Sequence, residues 1–358
     1  MVGASISWWA WEANSANLCF PGDVQFGLEP PTPVWDAPHL MNVPLRNLPQ
    51  PALLVLCLIA FSCGLSPLPG ADAAADAAKN KAENEAMRKE WASWNAPFRP
   101  FRIIGNIYYV GPSGISSFLI TTPAGHILLD TGFEMTVPRI RDGIKQLGFR
   151  LEDIKIVLNS HAHLDHAGGD ALMKRLTGAQ IAMSEADAAM LAAGGTNDFT
   201  PYSREMISYP PAKADRLLHD GDLVTLGGTT LTCHLTPGHT KGCTTWTMDV
   251  TNDGKVYHVV FFGSTSILPH VPLTHNALYP GMVDDFTATY RKLNALPCDV
   301  FLAPHASFFG LEEKAARLTR GEKPNPFIDP AEFHRFLEGA EAKFRHQLKE
   351  ETKAGASS

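Results

Sequence analysis

The sequence predicts an α/β fold in which two β-sheets pack together between outer layers of helices. Strand-like and helix-like segments alternate along the chain in two successive batches, and there are enough helices to cover the outer faces of both sheets. With 358 residues, of which 45% are hydrophobic and 19% charged, the chain can bury a sizeable core.

The first batch follows a charged, Ala-rich stretch. Residues 79–94 predict a surface helix within a lead-in segment, 76–97, and we expect the folded domain over 98–350. Apolar runs predict strands over residues 102–110, 117–122, 126–129, 154–158 and 181–183. Helical spacing predicts helices over residues 137–147, 171–176 and 185–193.

The second batch repeats this alternation. Strands are expected over residues 223–226, 230–235, 244–249, 256–262 and 300–302, with a helix over 284–296. Asp329 is a good N-cap and Pro330 suits a first helical position, so a final helix is expected to run from there to about Glu350.

The front of the chain resembles a targeting segment. Residues 51–64 are apolar but short of the about 20 residues that a membrane span needs. Arg46 precedes them, and small residues with cleavage options near Ala73 follow, which predicts a secretory signal peptide over 41–75. We expect translation to begin at Met41 and residues 1–40 to be an unstructured upstream extension. The alternatives are a buried helix or a retained anchor, including a lipid anchor on Cys63.

Charge narrows the partners. The net charge is -7 with no long basic run, which argues against nucleic acid. We expect a monomeric protein, exported to the periplasm or secreted, that is not inserted in a membrane after signal removal. Three cysteines remain in the body, Cys233, Cys243 and Cys298, and their pairing stays open. No Cys-x-x-Cys pair occurs, so a sulfur-only zinc site is not expected.

The chemistry is concentrated in the segment His161-Ala-His163-Leu-Asp165-His166, which follows a predicted buried strand and precedes Gly168-Gly169. A strand-end loop of this kind can aim several imidazole nitrogens and one carboxylate at a single point. Imidazole and carboxylate are good zinc donors. The segment therefore predicts a metal site.

Two further histidines have matching contexts. His239 lies in a Pro-Gly-His-Thr loop between two predicted strands, and His305 directly follows another. Strand-end loops in a layered fold converge on one edge, so both are predicted ligands. Eight other histidines lack such a setting and are interpreted as surface or core residues: His126, His219, His234, His258, His270, His275, His334 and His346.

Together these motifs resemble the metallo-beta-lactamase superfamily, from about Phe98 to the C-terminus. The resemblance implies the four-layer αβ/βα sandwich and two Zn²⁺ ions. It places the first zinc on His161, His163 and His239, and the second on Asp165, His166 and His305.

Ser264 indicates the branch of the superfamily. Many hydrolases of this fold carry a metal-bridging aspartate in a Phe-x-Gly-Asp context, and here Ser264 stands in its place. A serine there, with the extra histidine after Asp165, resembles the third subclass of class B beta-lactamases. The resemblance implies hydrolysis of the beta-lactam amide bond of penicillins, cephalosporins and carbapenems, hence antibiotic resistance. Ser264 and Ser266 are candidates to bind the substrate carboxylate; the alternative interpretation is ordinary strand-end polarity.

The implied mechanism uses a zinc-bound hydroxide, because zinc lowers the pKa of water from 15.7 to about 7. Asp165 would orient this hydroxide and accept its proton, and Asp130 is a candidate partner for a ligand histidine. Some relatives place a tyrosine after the serine pair to hold the reacting carbonyl oxygen. Here Val271 stands near that position, so we expect oxyanion stabilisation to depend on zinc alone.

Three alternatives stay open. The same site could serve a thioesterase or a lactonase. It could hold iron in a redox enzyme, although such relatives usually carry the bridging carboxylate that Ser264 does not supply. It could also bind metal without catalysis.

Overall fold

A computed structural model describes residues 84–356. The predictions for 1–40 and 41–75, including the start at Met41, lie outside these residues. Residues 84–94 form helix α1, as predicted for that part of 79–94. Within 84–356, no helix combines the length and apolar character that crossing a bilayer requires.

The first sheet contains seven strands in sequential order. They are β1 (Phe101–Ile104), β2 (Ile107–Tyr109), β3 (Phe118–Thr122), β4 (Gly125–Leu129), β5 (Ile154–Leu158), β6 (Gln180–Ser184) and β7 (Arg216–Leu218). Strands β1 to β4 pair antiparallel, whereas β4 to β7 pair parallel. The parallel half needs crossover helices, which is why the connections between strands of this sheet contain helices only after β4.

The second sheet contains five strands in the order β12-β11-β10-β9-β8. They are β8 (Leu223–Leu226), β9 (Thr229–Leu235), β10 (Thr244–Asn252), β11 (Lys255–Phe261) and β12 (Val300–Leu302). All neighbours pair antiparallel except β11 and β12, which are parallel.

The helices after α1 are α2 (Val137–Gln146), α3 (Leu164–Ala167), α4 (Asp170–Thr177), α5 (Glu185–Ala192), α6 (Arg204–Ile207), α7 (Met282–Asn294), α8 (Leu311–Thr319) and α9 (Glu332–Ala356). Three short 3-10 helices span Glu134–Thr136, Leu151–Asp153 and Ala306–Phe308.

Two buried clusters define the layers. In β4, Ile127 and Leu129 belong to the cluster that joins the two sheets, and Leu128 belongs to the cluster beneath α2. This alternation is the period of a strand buried on both faces. Between the sheets, Phe118 meets Phe261 with ring centroids 5.3 Å apart. The predicted architecture of two sheets between helical layers is confirmed.

Some elements differ from the prediction. The strand expected over 102–110 is two strands, because Gly105 turns the chain with φ 51° and a Cβ there would lie 2.1 Å from Val250 Cγ2. The sequence analysis did not identify β7, α6 or α8. Asp329 Oδ1 accepts a hydrogen bond from Ala331 N at 3.0 Å, as a cap should, and α9 continues to Ala356. Cys233, Cys243 and Cys298 are buried and free.

Candidate metal centre

The loop after β5 carries the first four candidate ligands, and hydrogen bonds attach it to the second sheet. Asn159 O accepts a hydrogen bond from Trp246 Nε1 at 3.0 Å, and Ser160 O accepts one from Thr244 N at 2.8 Å. Trp246 and Thr244 both belong to β10. The end of β5 is thereby fixed against the loop between β9 and β10, which carries His239.

Three histidines form the first half of the centre. His161, His163 and His239 each offer a ring nitrogen, and these nitrogens lie within 4.8 Å of one another. His161 Nε2 is 3.1 Å from His239 Nε2. The structure thus brings together two residues of the first sheet's loop and one of the second sheet's.

A carboxylate and two histidines form the second half. Asp165 and His166 lie on the short helix α3, where the sequence analysis expected only a loop. Asp165 Oδ2 is 3.2 Å from His166 Nε2 and 3.5 Å from His305 Nε2. His161, Asp165 and His166 form a second group of ligand atoms within 4.8 Å, and His305 lies beside this group.

The histidines are held from behind by polar partners. His239 Nδ1 lies 2.7 Å from Ser266 O, and His161 Nδ1 lies 3.1 Å from Ser160 Oγ. Ser160 Oγ in turn donates to Asp130 Oδ2 at 2.8 Å. Because a ring nitrogen that donates to such a partner leaves the other nitrogen free, these contacts orient Nε2 of both histidines towards the centre.

Asp130 and Asp198 contact the remaining two histidines of the loop. Asp130 Oδ2 lies 3.5 Å from His166 Nδ1, where the predicted partner role places it. Asp198 Oδ2 lies 3.4 Å from His163 Nε2. Asp198 was not predicted from the sequence, because about 35 residues separate it from the motif along the chain.

The histidines divide into two protonation classes. Burial and the surrounding histidines hold the pKa of His161 well below its ordinary value, and burial with His163 lowers the pKa of His239 to about 3. Burial and His166 lower the pKa of His305 to about 4. For His166, Asp165 and Asp130 outweigh burial and raise the pKa to about 10.

The pKa values of the other two members, His163 and Asp165, are determined by their charged neighbours. Burial lowers the pKa of His163, but Asp198 outweighs burial and raises it. Burial favours the neutral form of Asp165, but His166 and His305 hold its pKa well below the usual range. Asp165 is therefore a carboxylate at any physiological pH.

A cavity of ≈ 310 Å³ opens onto the centre. Seven of the predicted site residues line it: His161, His163, Asp165, His239, Ser264, Ser266 and His305. His166 and Asp130 are buried behind them, with 0% and 1% of their surfaces exposed. Ser264 Oγ accepts a hydrogen bond from Ser266 N at 3.2 Å, so the two serines form one wall.

Part of the cavity wall comes from one half-buried face of α1, the helix predicted at the surface. Met87, Trp91 and Trp94 line the cavity, and the Trp94 ring lies 5.1 Å from that of His305, edge to face. Gly114 N donates to Trp94 O at 2.9 Å and fixes the end of α1 there. The spacing of these three residues along one helical face was a signal for a buried stripe.

The tyrosines and Val271 are placed differently from the sequence expectation. Val271 is buried in the core, and Leu268 and Pro269 line the cavity in that region. Tyr202 and Tyr209 reach the cavity from the segment around α6. Since Tyr202 is distant from Ser264 along the chain, counting residues after Ser264 could not find it.

Comparison with known proteins gives a consistent result. Residues 110–305 match the family model of the metallo-beta-lactamase superfamily. The native FEZ-1 metallo-beta-lactamase from Legionella gormanii is 42% identical, with a TM-score of 0.70 over 72% of this chain and 97% of that one. BJP-1, a subclass B3 metallo-beta-lactamase of Bradyrhizobium japonicum, is 42% identical, with a TM-score of 0.69 over 73% and 98%. Human mitochondrial persulfide dioxygenase ETHE1 is 26% identical over 213 residues, 59% of this chain and 70% of that protein.

Proposed function

The chain belongs to the metallo-beta-lactamase superfamily, and we propose that it is a di-zinc enzyme that hydrolyses the amide bond of beta-lactam antibiotics. The observation that carries this proposal is the convergence of five histidines and Asp165 on one cavity whose serine wall includes Ser264. The similarity to the FEZ-1 and BJP-1 enzymes supports the choice of substrate.

The donor set fits metal ions. His166 Nε2, the ring nitrogen that faces Asp165, is buried without a hydrogen bond of good geometry among the described residues. The Nε2 atoms of His161 and His239 face each other, and such an arrangement of neutral imidazoles is favourable around a cation. Imidazole with a single carboxylate suits zinc.

We assign the first zinc to His161, His163 and His239, and the second to Asp165, His166 and His305. Asp198 faces His163 Nε2, which leaves Nδ1 of that ring to bind the metal. His305, whose Nε2 lies 3.5 Å from Asp165 Oδ2, would complete the second site.

Bound zinc supplies a Lewis acid and, by lowering the pKa of its water to about 7, a nucleophile at neutral pH. Asp165 stays ionised at that pH, and its carboxylate faces the cavity. It is placed to orient the attacking water and to accept its proton. Ser264 and Ser266 also line the cavity, where their hydroxyls can donate hydrogen bonds to the substrate carboxylate.

Ser264 also sets the charge of the site. A neutral hydroxyl there leaves Asp165 as the single carboxylate that we assign as a metal ligand. Two zinc ions would therefore retain net positive charge, which favours an anionic substrate. Beta-lactams carry such a carboxylate, whereas simple lactones and thioesters need not.

A second candidate function has one supporting observation. The similarity to persulfide dioxygenase raises the possibility of a metal-dependent oxidation on the same ligands. Metal analysis separates the two, because the hydrolase proposal requires zinc.

The proposal is tested with purified mature protein and a panel of substrates: a penicillin, a cephalosporin, a carbapenem, a lactone and a thioester. We expect lactam hydrolysis that a chelator abolishes and zinc restores. Hydrolysis of the lactone or thioester alone, by zinc-loaded protein, would contradict the lactam assignment. Resistance to antibiotics, export and a monomeric state also stay predictions; intact-mass analysis of the natural product tests export.

A further inference from the structure

A buried carboxylate lies between the two loops that carry the first histidine triad. Asp187 is in the first turn of α5 and 1% exposed. It is neither one of the assigned metal ligands nor part of the cavity lining. Nothing in the proposed reaction uses it.

Asp187 accepts three hydrogen bonds, and each comes from a loop that carries an assigned ligand. Its Oδ2 accepts from Ala162 N at 2.9 Å and from Thr240 Oγ1 at 3.0 Å. Its Oδ1 accepts from Gly242 N at 2.9 Å. Ala162 separates His161 from His163, and Thr240 directly follows His239.

Close packing makes this connection stiff. A Cβ on Gly242 would lie 2.3 Å from Ser184 Oγ and 2.5 Å from Asp187 N, so the loop approaches α5 as closely as a glycine allows. Ser184 Oγ also donates to Gly242 O at 2.6 Å. The beginning of α5 therefore holds the His239 loop at both a donor and an acceptor.

We propose that Asp187 is a positioning residue for the first metal ion, because it sets the separation between the His161/His163 loop and the His239 loop. It acts through backbone amides and Thr240, not by touching metal or substrate. The inference rests on the proposed ligand assignment for the first zinc.

The chemistry requires a carboxylate. All three partners donate hydrogen bonds, and together they occupy both carboxylate oxygens of Asp187. An asparagine must present its NH₂ group either to Gly242 N–H or to Ala162 N–H, which places two donors face to face. Asp187→Asn therefore breaks the connection with almost no change in volume, and a buried amide is left unsatisfied.

The test compares zinc affinities of the wild type, Asp187→Asn and a control, Asp215→Asn, by titration against a competing chelator. Asp215 also accepts a backbone hydrogen bond, from Ile181 N at 2.8 Å, but is remote from the centre. The visible spectrum of the cobalt(II) form identifies the affected site, because the all-histidine set and the carboxylate-containing set absorb differently.

We expect Asp187→Asn to weaken the first ion by roughly 10–100-fold, the usual cost of losing an outer partner, with the second ion and the control near wild type. Equal weakening of both ions, or of neither, would overturn the inference. If Asp187→Asn does not fold, Thr240→Val decides: it removes one donor and should weaken the first ion by a smaller factor, and an unchanged affinity would refute the role. A wild type that binds no zinc would instead contradict the proposed function.

Discussion

The two halves of the centre differ in how ready they are for a metal ion. In the histidine triad, the pKa values of His161 and His239 are lowered, so both rings are neutral at pH 7. In the other half, His166 lies between Asp165 and Asp130, and its pKa is raised to about 10. Two of the three ligands in the first half therefore offer free lone pairs, and only His163, beside Asp198, has a raised pKa. In the second half, His166 must release a proton before it can bind metal.

Structural support also differs between the halves. The triad is connected to α5 through Asp187 and to Ser266 O through His239. In the second half, Asp130 contacts His166 directly, and His305 lies at the edge of the group, packed against Trp94. Ligands of the same chemical type are therefore held mainly by hydrogen bonds between loops in the first half, and by charged neighbouring side chains in the second.

We expect the largest effects from removing one ligand of each half, because each substitution should remove a different metal ion. His239→Ala should lose the first ion, and turnover should fall by more than the roughly 10²–10³-fold that one oxyanion donor is worth. His305→Ala should lose the second ion and keep the first. Zinc stoichiometry and lactam turnover measure both effects, with His258→Ala as a control on β11, away from the cavity. Equal zinc content in all three variants would refute the ligand assignment.

The difference in protonation predicts a difference in pH dependence. Below about pH 10 a proton competes with metal for His166, so affinity for the second ion should fall by up to about tenfold per unit as the pH decreases. The first ion should depend less on pH, because two of its three ligands, His161 and His239, accept protons only in acid, and only His163 has a raised pKa. Zinc titrations at pH 6, 7 and 8, at roughly constant ionic strength, would show it.

The raised pKa of His166 also predicts how the stability of the metal-free protein depends on pH. The pKa of His166 in the folded protein is above the ordinary value of about 6.5. Its contribution to the free energy of unfolding is therefore fully present below pH 6.5 and disappears as the pH rises through about 10. Thermal unfolding of chelated protein should therefore occur at a lower temperature above pH 10. A melting temperature that is independent of pH from 7 to 10.5 would contradict a protonated His166.

We expect the smallest effect, a change in KM, from substituting the two serines that line the cavity, Ser264 and Ser266. Ser264→Ala and Ser266→Ala should each raise KM by up to about tenfold with little change in kcat, since a hydrogen bond that replaces one to water contributes about 0.5–1.5 kcal/mol net. Ser266→Ala is a clean variant, because the Ser266 carbonyl that holds His239 remains. Zinc content should be unchanged in both, and a large fall in kcat would indicate a role other than carboxylate binding.

The sequence predicted the layered fold and the grouping of the six candidate ligands, because these depend on local patterns: strands of alternating burial and a compact His-x-His-x-Asp-His segment. Partners that depend on distant packing were not predictable. Asp198, Asp187 and Tyr202 reach the centre from the segment between β6 and β7. The acceptor of His239 is a backbone carbonyl, Ser266 O, which no residue type reveals.

The part of the cavity wall formed by α1 was likewise not predictable from the local sequence. Trp91 and Trp94 stand in a charged, Ala-rich stretch that is typical of a surface helix, and both are half-buried. Gly114 permits the close approach of the Trp94 backbone. A Cβ at Gly114 would lie 2.4 Å from Trp94 Cα. Local periodicity suggests such a stripe, but only tertiary structure identifies what covers it.

The most direct test of two unequal metal sites in a lactam hydrolase is a stepwise zinc titration of the metal-free protein, with penicillin, cephalosporin and carbapenem hydrolysis followed at each step. The account predicts no turnover without zinc, two zinc ions per chain at saturation, and a second binding phase that shifts with pH more than the first. Full zinc occupancy without hydrolysis of any lactam would contradict it.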